Sequence, residues 1–205
     1  GNLTVTTTTF NKTFTGAVTV AGNLTATTTT GVITMFAGTN NVTGNLSFTT
    51  TSTGDFNTSA ALNVGGNLTV TSASATGLFT LGGNLDVNGN VTLAATANAS
   101  SWFVPAGFQI NVAGDWTVTS SSNTPTAFLS TASVSTVIFD GTGAQTISKT
   151  AGTALTANFY HFQNSNTGGT VTVATAPSVT TITLAGNFTN DLGATFECAG
   201  ANTIN

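Results

Sequence analysis

Gly1-Asn2-Leu3-Thr4-Val5 is the first copy of a short pattern that returns along the whole chain at a nearly constant interval. Later copies, some of them degenerate, begin at Gly22, Gly44, Gly66, Gly89, Gly114, Gly141 and Gly186. The first five steps between these glycines are 21, 22, 22, 23 and 25 residues, and the last two are 27 and 45. A period of this size indicates one structural unit that is stacked on similar units.

The residues around each glycine indicate which unit is repeated. Apolar side chains precede the glycine by two and four positions and resume two positions after it, as Val18, Val20 and Leu24 do around Gly22. Alternation with a period of two is the β-strand pattern. The glycine falls on the inward side, where a missing side chain lets the strand bend, and the asparagine beside it suits a turn. The sequence therefore predicts an all-β protein: a single right-handed parallel β-helix (β-solenoid) of about nine coils of 20–27 residues, with three short strands per coil.

The boundaries of the later coils are less clearly marked. A corner near Asn164 divides the 45 residues before Gly186 into two, which gives nine coils of 21, 22, 22, 23, 25, 27, 23, 22 and 20 residues. Two corner phases overlap in 82–90, and the sequence leaves both open. Residues 1–205 are predicted to form one continuous solenoid with loop excursions near 97–107 and 120–127, where Pro105 and Pro125 argue against strands.

Composition excludes several classes of function. Only 4% of the residues are charged, the formal net charge is −4, and Lys12 and Lys149 are the only lysines, with no arginine. Nucleic-acid binding needs a basic footprint, so nucleic acid is not an expected partner. No apolar run approaches the roughly 18 residues of a membrane-spanning helix, so no membrane span is expected.

Three groups of residues carry a resemblance to a known class of proteins. They are the Gly-Asn-Leu-Thr-Val corners, Phe139-Asp-Gly-Thr-Gly-Ala-Gln-Thr-Ile-Ser148, and Phe159-Tyr-His-Phe162 followed by Gly168-Gly-Thr-Val-Thr-Val173. At these motifs the chain resembles the large secreted β-solenoid surface proteins of bacteria and archaea, the filamentous-haemagglutinin-like adhesins among them. The resemblance implies an extracellular or cell-surface location and an adhesive or structural role, and it transfers no site residue.

An enzyme is not expected, because catalytic carboxylates have to lie close together on one face. The acidic residues are scattered at one per coil or fewer: Asp55, Asp86, Asp115, Asp140, Asp191 and Glu197. His161 is the only histidine and lies inside an aromatic segment, where a packing role is the simpler interpretation. No cofactor is expected.

The strongest metal candidate is Asp86-Val87-Asn88-Gly89-Asn90, whose alternating oxygen ligands look like the start of a calcium loop. Ala97 stands where a bidentate acid should close that loop, so a turn rich in Asn and Asp is favoured and no metal is predicted. Cys198 is the single cysteine. It could bridge two subunits, but a buried free thiol is favoured.

Two further sets of residues are candidates for surface functions. Ten Asn-X-Ser/Thr sequons are present, six of which the corner pattern itself produces. The better glycosylation candidates are the four outside the corners: Asn11, Asn41, Asn57 and Asn98. Trp102 and Phe103, on the first predicted excursion, are candidates for a lateral contact with a partner, although folding back over the core is the favoured alternative.

Outward threonines form a pattern of their own. One rank consists of Thr4, Thr25, Ser47, Thr69, Thr92 and Thr117, and the rank beside it of Thr6, Thr27, Thr49, Thr71, Ala94 and Thr119. Two parallel ranks of hydroxyl and methyl groups look like the flat face of ice-binding solenoids, which makes ice binding an alternative function. Threonine is also a favoured outward residue of β-sheets, and this explains the ranks without any ligand.

The two ends of the sequence favour association between copies of the chain. Neither end carries the proline, local charge or covering element that blunts an open strand edge. Thr203-Ile204-Asn205 followed by Gly1-Asn2-Leu3 matches the internal corner Asn41-Val42-Thr43-Gly44-Asn45-Leu46 in pattern and spacing. The predicted head-to-tail seam comprises Gly1, Asn2, Leu3, Val5, Asn202, Ile204 and Asn205. We therefore expect a structural subunit of an extracellular filament that stacks on copies of itself, with the stalk of a large cell-surface adhesin as the alternative.

Overall fold

The computed structural model describes residues 1–35, 37–73, 76–95, 103–104, 107–120, 134–149, 155–174, 180–200 and 203–204. Within these ranges the chain is all-β, without a helix, and the paired strands run parallel. The strands form a β-solenoid with three strands per coil, as the sequence predicts.

The strands are short, as expected where each crosses one face of a coil. In chain order they are β1 (Leu3–Thr7), β2 (Lys12–Phe14), β3 (Thr19–Val20), β4 (Leu24–Thr28), β5 (Ile33–Met35), β6 (Asn40–Val42), β7 (Leu46–Thr50), β8 (Phe56–Thr58), β9 (Leu62–Val64), β10 (Leu68–Ser72), β11 (Phe79–Thr80), β12 (Leu85–Val87), β13 (Val91–Ala95), β14 (Phe103–Val104), β15 (Gln109–Val112), β16 (Trp116–Ser120), β17 (Thr136–Phe139), β18 (Gln145–Lys149), β19 (Leu155–Phe159), β20 (His161–Asn164), β21 (Thr170–Val173), β22 (Thr180–Leu184), β23 (Phe188–Asn190), β24 (Thr195–Cys198) and β25 (Thr203–Ile204).

Each complete coil contributes one strand to each of three faces. The first face is a nine-stranded sheet of β1, β4, β7, β10, β13, β16, β18, β21 and β24. The third face is an eight-stranded sheet of β3, β6, β9, β12, β15, β17, β20 and β23. The second face consists, within the described residues, of a five-stranded sheet (β2, β5, β8, β11 and β14) and a three-stranded sheet (β19, β22 and β25).

We number the coils 1 to 9 by their first-face strands. Coils 1–5, 7 and 8 have all three strands within the described residues, whereas coils 6 and 9 have two each. The structure thus shows about seven full turns, slightly fewer than the nine coils predicted.

The register of the first coils follows the glycine pattern. Leu3 pairs with Leu24, Leu24 with Leu46, and the same rank continues to Leu68, Val91 and Trp116. In 82–90 both glycine clusters mark corners, but of different faces. β12 lies on the third face and β13 on the first, which explains why two phases overlap in this segment.

The predicted register of the later coils is wrong. Trp116 pairs with Ile147, four residues beyond the partner that a corner at Gly141 predicts. Phe139 pairs with Asn164, although a corner near Asn164 would place Phe162 there. The segment Gly186-Asn187-Phe188 leads into the third face, where Phe188 pairs with Phe162, and not into the first face as its pattern suggests.

The core is a column of apolar side chains that runs along the solenoid. Its largest members are buried aromatic residues: Phe48, Phe56, Phe79, Phe103, Trp116, Phe139, Phe159 and Phe162. Ring centroids of neighbours in this column lie 5.1–6.5 Å apart. Aromatic pairs at such distances add about 0.5–1.5 kcal/mol each beyond the burial of their area. The column therefore couples successive coils more strongly than aliphatic packing alone would.

A hydrogen-bond ladder joins the corners that lead into the first face of coils 1–7. The side-chain oxygen of each corner residue accepts a hydrogen bond from the backbone N–H one coil later, at 2.7–2.9 Å. This corner ladder runs through Asn2, Asn23, Asn45, Asn67, Asn90 and Asp115 and ends at the N–H of Thr146. These asparagines do not adopt left-handed backbone, since Ala37 is the one described non-glycine residue with positive φ. They stabilise the next coil rather than their own turn, which corrects the role predicted for them.

The corner glycine is required by the close approach of two coils. A Cβ atom at Gly44 would lie closer than 3.0 Å to the side-chain oxygen of Asn23 and to the carbonyl group of Gly22. Gly22, Gly66, Gly89 and Gly114 meet the corner asparagine of the preceding coil in the same way. Glycine and asparagine therefore act as a pair, because the oxygen that accepts the hydrogen bond occupies the space that a Cβ would need.

The corners that lead into coils 7 and 8 are wider. Residues 113–115 join β15 to β16, whereas 140–144 join β17 to β18 and 165–169 join β20 to β21. Since Trp116 pairs with Ile147, Gln145 takes the place that Gly114 has one coil earlier. The extra residues move the turn outward and make room for an inward side chain.

A chain of four hydrogen-bonded amides, three of them buried, fills this wider space. Gln145 Nε2 donates to the carbonyl oxygens of Val112 and Gly114, at 2.8 and 2.6 Å. Gln145 Oε1 accepts from the N–H of Gly141 at 3.0 Å and from Asn166 Nδ2 at 2.8 Å. The network continues from the backbone N–H of Asn166 to Asn164, and from Asn164 Nδ2 to Asn190 Oδ1. We call Gln145, Asn166, Asn164 and Asn190 the amide chain, which the sequence analysis did not identify.

Candidate functional site

Coil 1 and the last two coils expose apolar residues that inner coils bury. In coil 1, Leu3 and Val5 are half-buried, whereas Leu24 and Ala26, their partners in coil 2, are 2% and 0% exposed. At the other end, Phe188 is 40% and Ile204 37% exposed. Each end of the described solenoid therefore presents part of its core to solvent.

Phe188 contacts one aromatic ring of the preceding coil and one of coil 9. Its ring stacks on Phe162 of the preceding coil at 5.4 Å between centroids, and Phe196 packs edge-on against it at 5.1 Å. Leu192 lies nearby in the chain but is fully exposed, at 101%, so it belongs to the outer surface of the turn. Phe188 is thus a large apolar side chain that packs on the core and yet is 40% exposed at this end.

The predicted seam is placed in part. Gly1, Asn2, Leu3 and Val5 lie in coil 1, and Asn2 is the first residue of the corner ladder. Ile204 pairs with Ile182 on the second face, whereas Val42, its counterpart in the predicted match, lies on the third face. The joined ends therefore resemble an internal corner in sequence, but Ile204 lies on a different face of the solenoid from Val42. Asn202 and Asn205 lie outside the described residues.

Of the two aromatic residues considered for a lateral contact, Phe103 lies within the described residues. Phe103 begins β14, pairs with Phe79 and is 0% exposed. It is a core residue, so its assignment to a lateral contact is wrong and the alternative of packing on the core is confirmed. Trp102 lies outside the described residues, as does most of the excursion predicted at 97–107 and all of 121–127.

The outward threonine ranks are in register along the first face. Thr4 pairs with Thr25, and this rank continues through Ser47, Thr69, Thr92 and Thr117 to Ser148. The second rank pairs Thr6, Thr27, Thr49, Thr71, Ala94 and Thr119 in the same way. The two predicted ranks are therefore aligned in coils 1–6, with Ala94 as the one member that has no hydroxyl group.

The candidate glycosylation residues differ in accessibility. Asn11 is exposed, and its Oδ1 accepts the backbone N–H of Val32 at 3.0 Å. Asn41 is half-buried and has both side-chain atoms engaged, Nδ2 with Thr39 and Oδ1 with Asn63. Asn57 is half-buried in β8, and Asn98 lies outside the described residues. Asn11 is therefore the most accessible of the three that are described.

Most of the acidic residues have structural partners. Asp55 accepts the N–H of Leu78, and Asp115 that of Thr146. Desolvation by burial raises the pKa of the Asp140 carboxyl, a hydrogen bond from Asn111 opposes this shift, and the charge of Asp86 adds to it.

Three other titratable side chains, Asp191, Cys198 and His161, lie in coils 7–9. A hydrogen bond from Ser165 and, as the smaller contribution, one from Gln163 lower the pKa of Asp191. Cys198 is exposed, so the expectation of a buried thiol is wrong, although partial desolvation raises its pKa. His161 is half-buried on the outer side of the third face, where its Nδ1 accepts the N–H of Asn187.

Within the described ranges, no group of three or more His, Cys, Asp or Glu residues is placed to hold a metal ion. Asp86 and Asn88 of the calcium candidate are exposed, and Asn90 belongs to the corner ladder. The same part of the chain contains no helix with the length and hydropathy needed to cross a membrane.

Comparison of the chain with protein-family models, with curated proteins and with solved structures finds no match.

Proposed function

We propose that this chain is a structural segment of an extracellular filament, in which copies stack head to tail along the solenoid axis. The observation that carries the proposal is the exposed core at both ends, at Leu3 and Val5 in coil 1 and at Phe188 and Ile204 in the last coils. Open strand edges recruit further strands. Contact between two different surfaces of the same molecule gives an open filament unless the rotation between copies closes a ring, and stacking along the solenoid axis does not close one.

The charges near the two ends also favour head-to-tail stacking. Coil 1 carries the exposed Lys12, whose partner one coil later is the buried Ile33. The last coils carry Asp191 and Glu197, and no acidic residue lies in 1–54. Exposed ion pairs add little affinity, but opposite charges on two contacting surfaces select their orientation. The basic end of one copy therefore favours the acidic end of another.

The parallel connections also favour one hand for the solenoid. Crossover connections between parallel strands are right-handed in about 98% of cases, so we take the coil to be right-handed.

Association is tested by sedimentation velocity over a range of protein concentrations. We expect Phe188→Asp to abolish concentration-dependent association, because it places a charge on the end surface. Leu192→Asp adds the same charge on the fully exposed turn and is expected to associate like the unmodified chain. Circular dichroism checks that both variants fold. Equal association of the two variants, or a monomer at every concentration for the unmodified chain, would contradict the proposal.

The stalk of a large cell-surface adhesin is the alternative within the same class of function. In such a stalk, further coils of the same polypeptide cover both ends of residues 1–205. The two end surfaces would then be buried in the longer chain and exposed in the 205-residue segment. A soluble monomer whose stability rises when flanking coils are added would favour the stalk.

Ice binding is a second candidate function, because the two threonine ranks are in register over coils 1–6. An ice-recrystallisation assay tests it. Thr27→Tyr together with Thr49→Tyr interrupts both the flat surface and its spacing, and is expected to abolish any activity. Absence of activity in the unmodified chain would remove this candidate and leave the threonines a role in cross-strand pairing.

A further inference from the structure

The outer side of the third face contains a recess of about 240 Å³ around His161. It is lined by Thr136, His161, Phe162, Gln163, Asn187 and Thr189. His161 and Gln163 are two residues apart in β20, so both side chains point outward on the same strand. Pockets for drug-sized ligands occupy about 300–1,000 Å³, so this recess matches one small ring rather than a larger molecule.

The imidazole of His161 is fixed in one orientation and one tautomer. Its Nδ1 accepts the N–H of Asn187 at 2.9 Å, so the neutral ring carries its hydrogen on Nε2. The Tyr160 ring packs edge-on against it, with 4.7 Å between ring centroids. A Cβ atom at Gly186 would lie closer than 3.0 Å to both rings. Glycine at this position therefore allows the next coil to approach the two rings.

The amide of Gln163 is fixed by a different partner. Its Nε2 donates to both carboxylate oxygens of Asp191, at 3.2 and 3.0 Å, and Ser165 donates to the same carboxylate at 2.6 Å. Among the described residues, no hydrogen bond to Gln163 Oε1 is present. The recess therefore offers an oriented donor, His161 Nε2–H, and an oriented acceptor, Gln163 Oε1.

The remaining lining defines the class of ligand. The hydroxyl groups of Thr136 and Thr189 both donate and accept hydrogen bonds, and neither side chain has a formal charge. An anion would need a cationic partner, and a metal ion would need a free carboxylate, whereas Asp191 is already engaged. The Cα atoms of residues two apart on a strand are separated by roughly 6–7 Å, a distance that a single sugar ring with its hydroxyl groups can span.

We propose that this recess binds one residue of a neutral saccharide, with His161 Nε2–H donating to one ring hydroxyl and Gln163 Oε1 accepting from another. The proposal goes beyond the filament and does not depend on stacking, because His161 and Gln163, which would make the hydrogen bonds, point outward from the third face and away from the two ends. A small and shallow recess gives weak binding, with a Kd on the order of 1 mM for a free oligosaccharide.

The composition of the chain supplies the spectroscopic probe. His161 is the only histidine and Tyr160 the only tyrosine, so their ring signals in a proton NMR spectrum are assigned without ambiguity. The unmodified chain is titrated separately with cellotetraose, mannotetraose, maltotetraose and inorganic phosphate. We expect at least one of the oligosaccharides, and not phosphate, to shift both ring signals in a saturable manner.

Three variants locate the binding. Gln163→Leu removes the acceptor at nearly constant size and is expected to weaken binding at least tenfold, measured on the His161 signals. Gln109→Leu makes the same substitution on the same face but outside the recess and is expected to leave binding unchanged. His161→Asn retains an acceptor for the next coil, as Asn84 does for the N–H of Gln109 at 3.1 Å, and is expected to abolish the shift of Tyr160.

The proposal is overturned if no oligosaccharide shifts the ring signals, if phosphate alone does so, or if Gln163→Leu binds as well as Gln109→Leu. Should Gln163→Leu fail to fold by circular dichroism, Thr189→Val takes its place, because Thr189 is exposed and the substitution removes only a hydroxyl group. Weakened binding in that variant supports the proposal, and unchanged binding overturns it.

Discussion

The corners of the first coils and those of coils 7 and 8 perform the same turn with different chemistry. The corners that lead into the first face of coils 2–6 have three residues each. They contain an inward glycine and an outward asparagine or aspartate, whose side-chain oxygen accepts a hydrogen bond from the next coil. In coils 7 and 8 five residues are used, and Gln145 and Asn166 bond inside the turn. A narrow corner is thus stabilised from its outer surface and a wide corner from its interior.

The difference has an energetic consequence. A hydrogen bond at a solvent-exposed corner competes with water, and its net contribution is about 0.5–1.5 kcal/mol. A buried polar group that loses its partner costs roughly 1–3 kcal/mol, because water cannot replace the partner. Equivalent substitutions should therefore be more damaging in the wide corners than in the narrow ones.

The largest effect is expected for Gln145→Leu. The substitution leaves the carbonyl oxygen of Gly114 and the N–H of Gly141 without their partner and removes one of the two donors to the carbonyl oxygen of Val112, which keeps the N–H of Asp140. With roughly 1–3 kcal/mol for each buried group that stays unpaired, the free energy of unfolding should fall by several kcal/mol in a urea titration. Gln109→Leu, on the exposed third face, is the control. A loss as small as that of the control would show that the amide chain does not stabilise the wide corner.

Gly44→Ala is expected to rank second. The added Cβ would meet the carbonyl group of Gly22 and the side-chain oxygen of Asn23, so one coil has to move. Overpacking of this kind costs about 1–3 kcal/mol. Gly16→Ala is the matched control, since nothing lies within 4 Å of its added Cβ, and it should be neutral or slightly stabilising. The same urea titration measures both, and equal stability of the two variants would refute the close-approach explanation.

A smaller effect is expected at Asn45. Asn45→Ala removes the acceptor of the Asn67 N–H at an exposed corner, so the unfolding free energy should fall by about 0.5–1.5 kcal/mol. Asn45→Asp keeps an acceptor, as Asp115 does in coil 6, and should be close to the unmodified chain. If alanine and aspartate are equally destabilising, the corner ladder is not what stabilises the narrow corners.

The smallest effect is expected for the pH dependence of stability that Asp140 causes. Asp140 is the first residue of the wide corner 140–144. Burial raises the pKa of Asp140 in the folded state, so the folded chain binds this proton more tightly than the unfolded chain. Its contribution to stability therefore increases as pH falls from the raised value towards the ordinary value of 3.8. Asp140→Asn should be more stable than the unmodified chain at pH 7, by a margin that shrinks on acidification. Thermal unfolding at several pH values measures the margin, and a margin that grows at low pH would contradict the direction of the shift.

The two regions also explain how far the fold could be predicted from the sequence. The narrow corner needs Gly and Asn at adjacent positions, and therefore Gly22-Asn23 and Gly44-Asn45 give a visible period and the correct register. The wide corner depends on amides such as Gln145 and Asn166, which are twenty-one residues apart and meet only after the coils have stacked. No local pattern marks such a contact. Gly186-Asn187 further shows that the same dipeptide can mark a corner of another face.

The candidate sites were predictable to a smaller extent. The threonine ranks follow directly from the register of coils 1–6, and their alignment is confirmed. The length of its coil predicts an excursion at Phe103, yet β14 places this residue in the core column. The aromatic residues next to His161 in the sequence predict a packing role for it. Its outward position follows from a register that the sequence did not determine.

The most direct test of the central proposal is the axial repeat of the assembled material, measured by fibre diffraction or by helical reconstruction from electron micrographs. The first face has nine strands, and a strand spacing of about 4.8 Å gives an axial repeat of about 43 Å per copy. We predict filaments with this repeat and a strong reflection at about 4.8 Å along the fibre axis. Particles that remain monodisperse monomers at every concentration, or filaments whose repeat is far from about 43 Å, would contradict head-to-tail stacking.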